Sequence, residues 1–104
     1  MLEELDTVDM FASKNGRTQL VIVDAGITDD HAEWLDLLQK KIHTYLQALS
    51  SGRLNRDVPD LRSCEICVTS CVADRPRPPH LAKVSLPLGG GESIEVPVVF
   101  EHMA

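Results

Sequence analysis

The sequence predicts an α+β fold in which one long amphipathic helix packs on one face of a small mixed or antiparallel sheet. Three observations predict it: an unbroken apolar run at residues 20–23, a helical apolar period after that run, and strand-like segments on both sides of the helix. The chain has 104 residues, which suits one domain over residues 1–104. The expected order of elements is β-β-α-β-β-β.

The first two strands are predicted to form a hairpin. Residues 1–7 are expected to be a loose arm, and residues 8–13 are rich in apolar side chains, as in a short strand. Asn15-Gly16 separates them from a second strand at residues 18–24, and Asn-Gly between two such runs is a strong signal for a tight turn. The second strand lacks alternation in its middle, which is typical of a central strand or of one covered on both faces.

The long helix is predicted to begin near Asp30 and to end before Gly52. Asp30 and Glu33 have the spacing of a capping box, with Thr28 and Asp29 as alternative caps. Gly52 suits the left-handed residue that commonly follows a helix. About 22 residues at 1.5 Å each would span roughly 33 Å. One face carries apolar side chains at steps of three and four: Leu35, Leu38, Ile42, Tyr45, Leu46 and Leu49.

The second half of the chain is predicted to complete the sheet. Residues 64–72 have the pattern of a strand. Residues 81–88 and 92–101 flank three consecutive glycines and favour a second hairpin; a short helix at residues 80–86 before a final strand is the alternative. If the second hairpin forms, Pro87 and Pro97 should lie at a sheet edge or a bulge, because proline cannot donate a ladder hydrogen bond.

Charge and cysteine content limit the classes of partner and compartment. Ten basic against 16 acidic residues give a net charge of −6, which argues against nucleic acid and anionic membranes as partners. No apolar run approaches the roughly 20 residues that span a bilayer, and the first residues lack a signal-peptide pattern. Three cysteines, an odd number, suit reduced thiols, so we expect a cytoplasmic protein.

The cysteines are the first candidate site. Cys64, Cys67 and Cys71 could bind a metal or act as reactive thiols if they converged. On a strand, however, positions 64 and 67 point to opposite faces, and the intervening residues encode no turn. Structural thiols are therefore favoured, no metal or cofactor is predicted, and a metal- or thiol-dependent site is kept as an alternative.

Three aspartates form the second candidate site. Asp24 ends an apolar strand just before a helix, a position at which open α/β sheets often bind ligands, and Asp29 and Asp30 follow it closely. Asp24, Asp29 and Asp30 are thus candidate binding residues, and a small enzyme that uses Asp24 is a second alternative. Capping and turn formation explain the same carboxylates without any ligand.

The helix supplies a candidate interface. Trp34, Leu37 and Lys41 fall at the edge of the main apolar stripe or outside it. Tryptophan is enriched at protein interfaces, so these three side chains are candidates for contact with a partner. The simpler interpretation is that they cover the margin of the sheet.

Three segments carry a family resemblance: V-D-M at residues 8–10, VIVDAG at residues 21–26, and LQ-x-KI-x-x-YL at residues 38–46, followed by SG-x-L at residues 51–54. They resemble a small bacterial family known only as a domain of unknown function. The resemblance covers the first half of the chain and continues more weakly through residues 64–72. It implies no activity, cofactor or catalytic residue.

The sequence contains no catalytic constellation, so an enzyme is not favoured. We expect a small acidic, non-catalytic binding or assembly module that acts through protein–protein contacts, either as a homodimer or with another protein.

Overall fold

In the computed structural model, which describes residues 2–4, 10–14, 16–52, 61–72, 75 and 78–102, one helix packs on a five-stranded mixed sheet. The helix is α1 (His31–Ser50). The strands are β1 (Met10–Lys14), β2 (Arg17–Asp24), β3 (Cys64–Ser70), β4 (Lys83–Gly89) and β5 (Glu92–His102). The predicted α+β fold and the order β-β-α-β-β-β are confirmed.

The strand order, β1-β2-β3-β5-β4, brings three carboxyl ends to one edge of the sheet. β2, β3 and β5 run parallel, whereas β1 and β4 are antiparallel to their neighbours. α1 is the crossover between β2 and β3, as parallel strands require. Asp24, Ser70 and His102 are therefore in register on adjacent strands.

Both predicted hairpins are present. β1 pairs with β2 around the turn at Gly16, while Asn15 and residues 5–9 lie outside the described residues. β4 and β5 form the second hairpin, and Gly90 and Gly91 take positive φ values of 63° and 84° in its turn. The alternative helix at residues 80–86 is reduced to a short 3-10 turn, Pro79–Leu81, ahead of β4.

The two prolines lie where their missing N–H groups do least harm. β5 pairs with β4 as far as Pro97 and with β3 from Val98 onward, so Pro97 lies where the strand changes neighbour. Pro87 lies on the edge strand, beside an irregularity in the pairing between Pro87 and Gly89. The expectation of an edge or bulge is thus confirmed for Pro87.

The ends of α1 follow the sequence. The Asp30 side chain accepts a hydrogen bond from the Glu33 N–H at 3.0 Å, so Asp30 is the N-cap. At the other end the Ser51 N–H donates to the Gln47 carbonyl at 3.0 Å, and Gly52 takes the left-handed conformation with φ 77°. The helix has 20 residues, two fewer than the length expected from the sequence.

The hydrophobic core lies between α1 and one face of the sheet. Leu20, Val21 and Ile22 are all buried, which confirms the prediction of a central strand without alternation. The buried helix face differs from the predicted stripe, because Leu35 and Leu46 are only partly buried. The buried residues of α1 are Trp34, Leu38, Lys41, Ile42, Tyr45, Ala48 and Leu49.

Residues 2–4 are fixed to the fold, so the expectation of a loose arm is wrong for them. Leu2 is fully buried, and its N–H donates to the Val23 carbonyl at 2.8 Å. The Lys41 ammonium donates to the Glu4 carbonyl. Within the described part of the chain, no helix has the length and apolar content needed to cross a membrane.

Candidate functional site

A buried carboxylate, Asp24, organises the carboxyl edge of the sheet. Its side chain is fully buried at the end of β2. Oδ2 accepts hydrogen bonds from Trp34 Nε1 at 2.8 Å, Ser70 Oγ at 2.9 Å and Arg75 Nε at 2.9 Å. Oδ1 accepts from the Gly26 N–H at 3.0 Å and from Arg75 Nη2 at 3.4 Å. Four residues from four parts of the chain thus converge on one carboxylate.

The fold explains how these donors meet. Trp34 lies in the first turns of α1, and Ser70 ends β3 directly beside Asp24 in the register. Arg75 comes from the segment after β3, and its guanidinium lies over the Trp34 ring at 5.3 Å from the centroid, within cation–π range. The Arg75 side chain is only 6% exposed, so this ion pair belongs to the interior.

The donors set the ionisation of Asp24. Burial alone would raise the pKa of this carboxyl group, because it disfavours the charged form. The hydrogen bonds from Arg75, the Gly26 N–H and Ser70, together with the positive charge of Arg75, outweigh burial and lower the pKa below its ordinary value of 3.8. Asp24 is therefore ionised at neutral pH.

The hydrogen bonds leave Asp24 little chemistry of its own. A carboxylate offers about four lone-pair positions, and five donor atoms are within hydrogen-bond distance of this one. A lowered pKa and a filled acceptor set are the opposite of what a general base needs. The arrangement is suited to holding the surrounding backbone in place.

The backbone held in this way is the segment of residues 25–28, which we name the Ile27 loop. Asp24 holds the Gly26 N–H, and Arg75 donates to the Thr28 carbonyl. The Thr28 hydroxyl donates to Glu3 at 2.7 Å. Both neighbours of Ile27 are thus fixed, yet Ile27 itself is 64% exposed. Among the described residues it is the one large apolar side chain that is exposed.

The predicted aspartate set is not brought together. Asp24 is buried, whereas Asp29 and Asp30 are exposed at the start of α1, where Asp30 caps the helix. Within the described ranges, no group of three or more His, Cys, Asp or Glu side chains is placed to hold a metal ion. Asp29 and Asp30 instead follow the Ile27 loop as surface carboxylates.

The three cysteines are also separate. Cys64 lies in the core. Cys67, three positions later on β3, is buried on the opposite face, where its sulfur lies 3.5 Å from the Thr69 hydroxyl. Burial raises the pKa of the Cys67 thiol, and the charges of Glu101 and Glu65 raise it further. Cys71 is exposed, and all three are free thiols.

Two of the three candidate interface residues lie inside the fold. Trp34 and Lys41 are fully buried, and their donor groups are satisfied there: Asp24 accepts from the indole and the Glu4 carbonyl accepts from the ammonium. Leu37 is partly buried against the core. Burial therefore makes Trp34 and Lys41 unavailable for direct contact with a partner.

The sequence similarity lies over the same elements. A family model described as a family of unknown function, DUF6572, matches residues 1–78. The chain belongs to this family. The resemblance noted in the sequence is thus confirmed. The DUF6572 match includes the Ile27 loop and the whole Asp24 network, by which we mean Asp24 and its donors Gly26, Trp34, Ser70 and Arg75. It ends before the β4–β5 hairpin. The chain has no significant match among curated proteins, and none among solved structures.

Sequence reasoning missed three residues of this DUF6572 site. Ser70 and Arg75 lie 46 and 51 positions from Asp24, and neither has a neighbouring motif that marks it. Ile27 did carry a signal, since it is an apolar residue between a glycine and three polar residues, in the short segment that joins the predicted strand to the predicted helix.

The pH dependence of stability should report the Asp24 network. Because the folded pKa of Asp24 is below the unfolded value, its contribution is fully present above about pH 4 and is lost as the pH falls toward the folded pKa. The free energy of unfolding of wild type should therefore exceed that of Asp24→Asn most at neutral pH, and this gap should narrow on acidification.

Urea unfolding between about pH 7 and pH 2.5 measures this gap. Asp29→Asn is the control, because its exposed carboxylate should leave the curve nearly parallel to that of wild type. A gap between wild type and Asp24→Asn that stays constant over the whole range would contradict the assignment.

Proposed function

We propose that this DUF6572 chain is a non-catalytic protein-binding module that contacts its partner through the Ile27 loop. One observation carries the proposal: an exposed isoleucine lies between two residues whose backbone is fixed by a buried ion pair. The exposed aspartates after the loop, Asp29 and Asp30, are the polar part of the same surface.

A fixed loop favours binding for an energetic reason. Association normally loses free energy to the ordering of loops and side chains, and a contact surface that is already ordered avoids most of this loss. Scattered exposed apolar residues are common and need no explanation by themselves. Here, however, a buried ion pair fixes the backbone on both sides of one exposed apolar side chain. Asp24 accepts from the Gly26 N–H, and its partner Arg75 donates to the Thr28 carbonyl.

Two further features support a binding role over the alternatives. The acceptor positions of Asp24 are occupied by donors, so an enzyme based on this carboxylate would need the network to break. Cys64 and Cys67 lie on opposite faces of β3, so a joint thiol or metal site would need the strand to break. A reducing, cytoplasmic setting is part of the proposal, and the three free thiols are compatible with it.

Site-specific photocrosslinking in the native host cells tests the proposal. A photoreactive amino acid at position 27 should form a discrete adduct with a protein, and the same amino acid at position 47, an exposed site in α1, should not form it. Excess untagged wild-type protein should suppress the adduct. Excess Ile27→Asp protein should not, although its free energy of unfolding should stay close to that of wild type.

The result that would overturn the proposal is equally specific. Adducts that form equally at positions 27 and 47, or that Ile27→Asp suppresses as well as wild type does, would show that the Ile27 loop is not the contact surface. An adduct with the mass of two copies of the chain would instead identify the partner as a second copy.

A further inference from the structure

We infer that the partner of the Ile27 loop is a different protein, whose apolar pocket is bordered by lysine or arginine side chains. This inference rests on the proposed function and adds the chemistry of the partner to it. It is argued from the charges that surround Ile27, the exposed apolar side chain.

The border of Ile27 on the helix side is acidic. Asp29, Asp30 and Glu33 are all exposed in the six residues that follow the loop, and the sequence has no Lys or Arg between Arg17 and Lys40. Arg75 reaches the loop from the other side, but it is 6% exposed and paired with Asp24. Of the basic residues that the structure describes, Arg75 is thus shown in contact with the loop, and its charge is paired inside the fold.

The helix terminus uses only part of this negative charge. One oxygen of Asp30 accepts the Glu33 N–H and so satisfies the first turn of α1. Glu33 lies in the first turn, where its charge favours the helix dipole, but its side chain stays exposed, as does that of Asp29. The whole chain carries a net charge of −6, so the local field has the same sign as the overall field. Such a surface favours and speeds the approach of a positively charged partner.

On the remaining side, the border of Ile27 is apolar. A Cβ atom at Gly26 would lie 3.0 Å from Val72 Cγ2 and 3.2 Å from Cys71 Sγ, so these two side chains adjoin the loop. Cys71 is exposed and Val72 is partly exposed. The contact surface is thus apolar at its centre and on one side, and acidic on the other, which matches the usual arrangement of an apolar centre and a polar rim.

The same charges argue against a second copy as the occupant. In a two-fold symmetric contact through Ile27, the same patch meets itself. The acidic borders of both copies would then crowd around one centre, and like charges placed together in an interface are unfavourable. A partner with basic side chains at the matching positions removes this repulsion.

A displayed library of random 12-residue peptides, selected on immobilised protein, tests the inference without knowledge of the natural partner. Four forms of the chain serve as targets: wild type, Ile27→Asp, the double variant Asp29→Asn/Asp30→Asn, and Gln47→Ala as the matched surface control. Asparagine at position 30 keeps the helix cap, because Asn and Asp cap equally well. Peptides selected on wild type should combine an apolar segment with Lys or Arg.

The expected affinities separate the two proposals. The selected peptides should bind Gln47→Ala as they bind wild type, should bind the double variant about 2- to 30-fold more weakly, and should lose measurable binding to Ile27→Asp. Added salt should weaken binding to wild type more than binding to the double variant.

Each contrary result overturns one statement. Peptides that need Ile27 but show no excess of Lys or Arg and no salt dependence would overturn the basic partner and leave the proposed function intact. A selection without any peptide that needs Ile27 would overturn the proposed function. Light scattering that shows a dimer for wild type and a monomer for Ile27→Asp would replace the basic partner with a second copy.

Discussion

Replacing Asp24 with alanine is expected to lower the free energy of unfolding by about 3–5 kcal/mol, the usual result of removing one member of a buried ion pair. The guanidinium of Arg75 would stay buried without its counter-ion, and the Trp34 indole would lose its acceptor, whereas the Ser70 hydroxyl would keep the Val72 carbonyl. Chemical denaturation with fluorescence detection of Trp34, the one tryptophan, measures the loss.

Companion variants make the Asp24 result interpretable. A small domain has about 5–15 kcal/mol of stability, so Asp24→Asn, which keeps the volume and one acceptor oxygen, is the milder form if Asp24→Ala does not fold. Asp24→Ala/Arg75→Met removes both charges and should recover part of the loss. Asp29→Asn, at an exposed carboxylate, should change stability by less than about 0.5 kcal/mol. A loss as small for Asp24→Ala as for Asp29→Asn would refute the structural role of Asp24.

Gly26→Ala is expected to lower the free energy of unfolding by about 2–3 kcal/mol, from two sources. Gly26 has φ 80°, a left-handed conformation that disfavours any residue with a Cβ atom by about 1–2 kcal/mol. The new Cβ atom would also lie 3.0 Å from Val72 Cγ2 and 3.2 Å from Cys71 Sγ, so these side chains would have to move.

Gly90→Ala is the matched control for Gly26→Ala. Gly90 also has a positive φ, 63°, but a Cβ atom there would meet nothing within 4 Å. It should therefore show the conformational penalty alone, and the difference between the two variants measures the crowding around the Ile27 loop. Equal losses in urea unfolding for Gly26→Ala and Gly90→Ala would mean that this crowding has no energetic consequence.

Local rules predicted most of the fold. Four features each act within a few residues, so the sequence displays them directly: the Asp30 cap, Gly52 after the helix, the unbroken run in β2 and the glycine run at residues 89–91. The choice between a hairpin and a short helix before β5 was also decided by local turn chemistry, because Gly90 and Gly91 occupy conformations that suit a turn.

Asp24 and Trp34 were among the predicted residues, but their contacts with each other and with Ser70 and Arg75 escaped prediction because they join distant parts of the chain. Lys41 illustrates the reason: lysine is almost never fully buried unless its charge is satisfied, and the satisfying groups are the Glu4 carbonyl and the Tyr45 ring, whose centroid lies 5.6 Å from the ammonium. Arg75 illustrates it again, since nothing near it in sequence indicates a partner 51 positions away. Helical spacing placed Lys41 outside the apolar stripe and gave no prediction for Arg75, whereas tertiary contacts bury both side chains.

The Asp24 network also determines when, during folding, the proposed contact surface comes into existence. Its parts come from the end of β2, the start of α1, the end of β3 and the segment after β3, and contacts across such long stretches of chain form late because loop closure precedes them. A nascent chain that has emerged only through α1 contains Ile27 and Asp24 but lacks Ser70 and Arg75, so the network that fixes the loop is incomplete. The proposed recognition through this loop would consequently require the finished fold, and a partner that binds the ordered loop would distinguish mature molecules from incomplete ones.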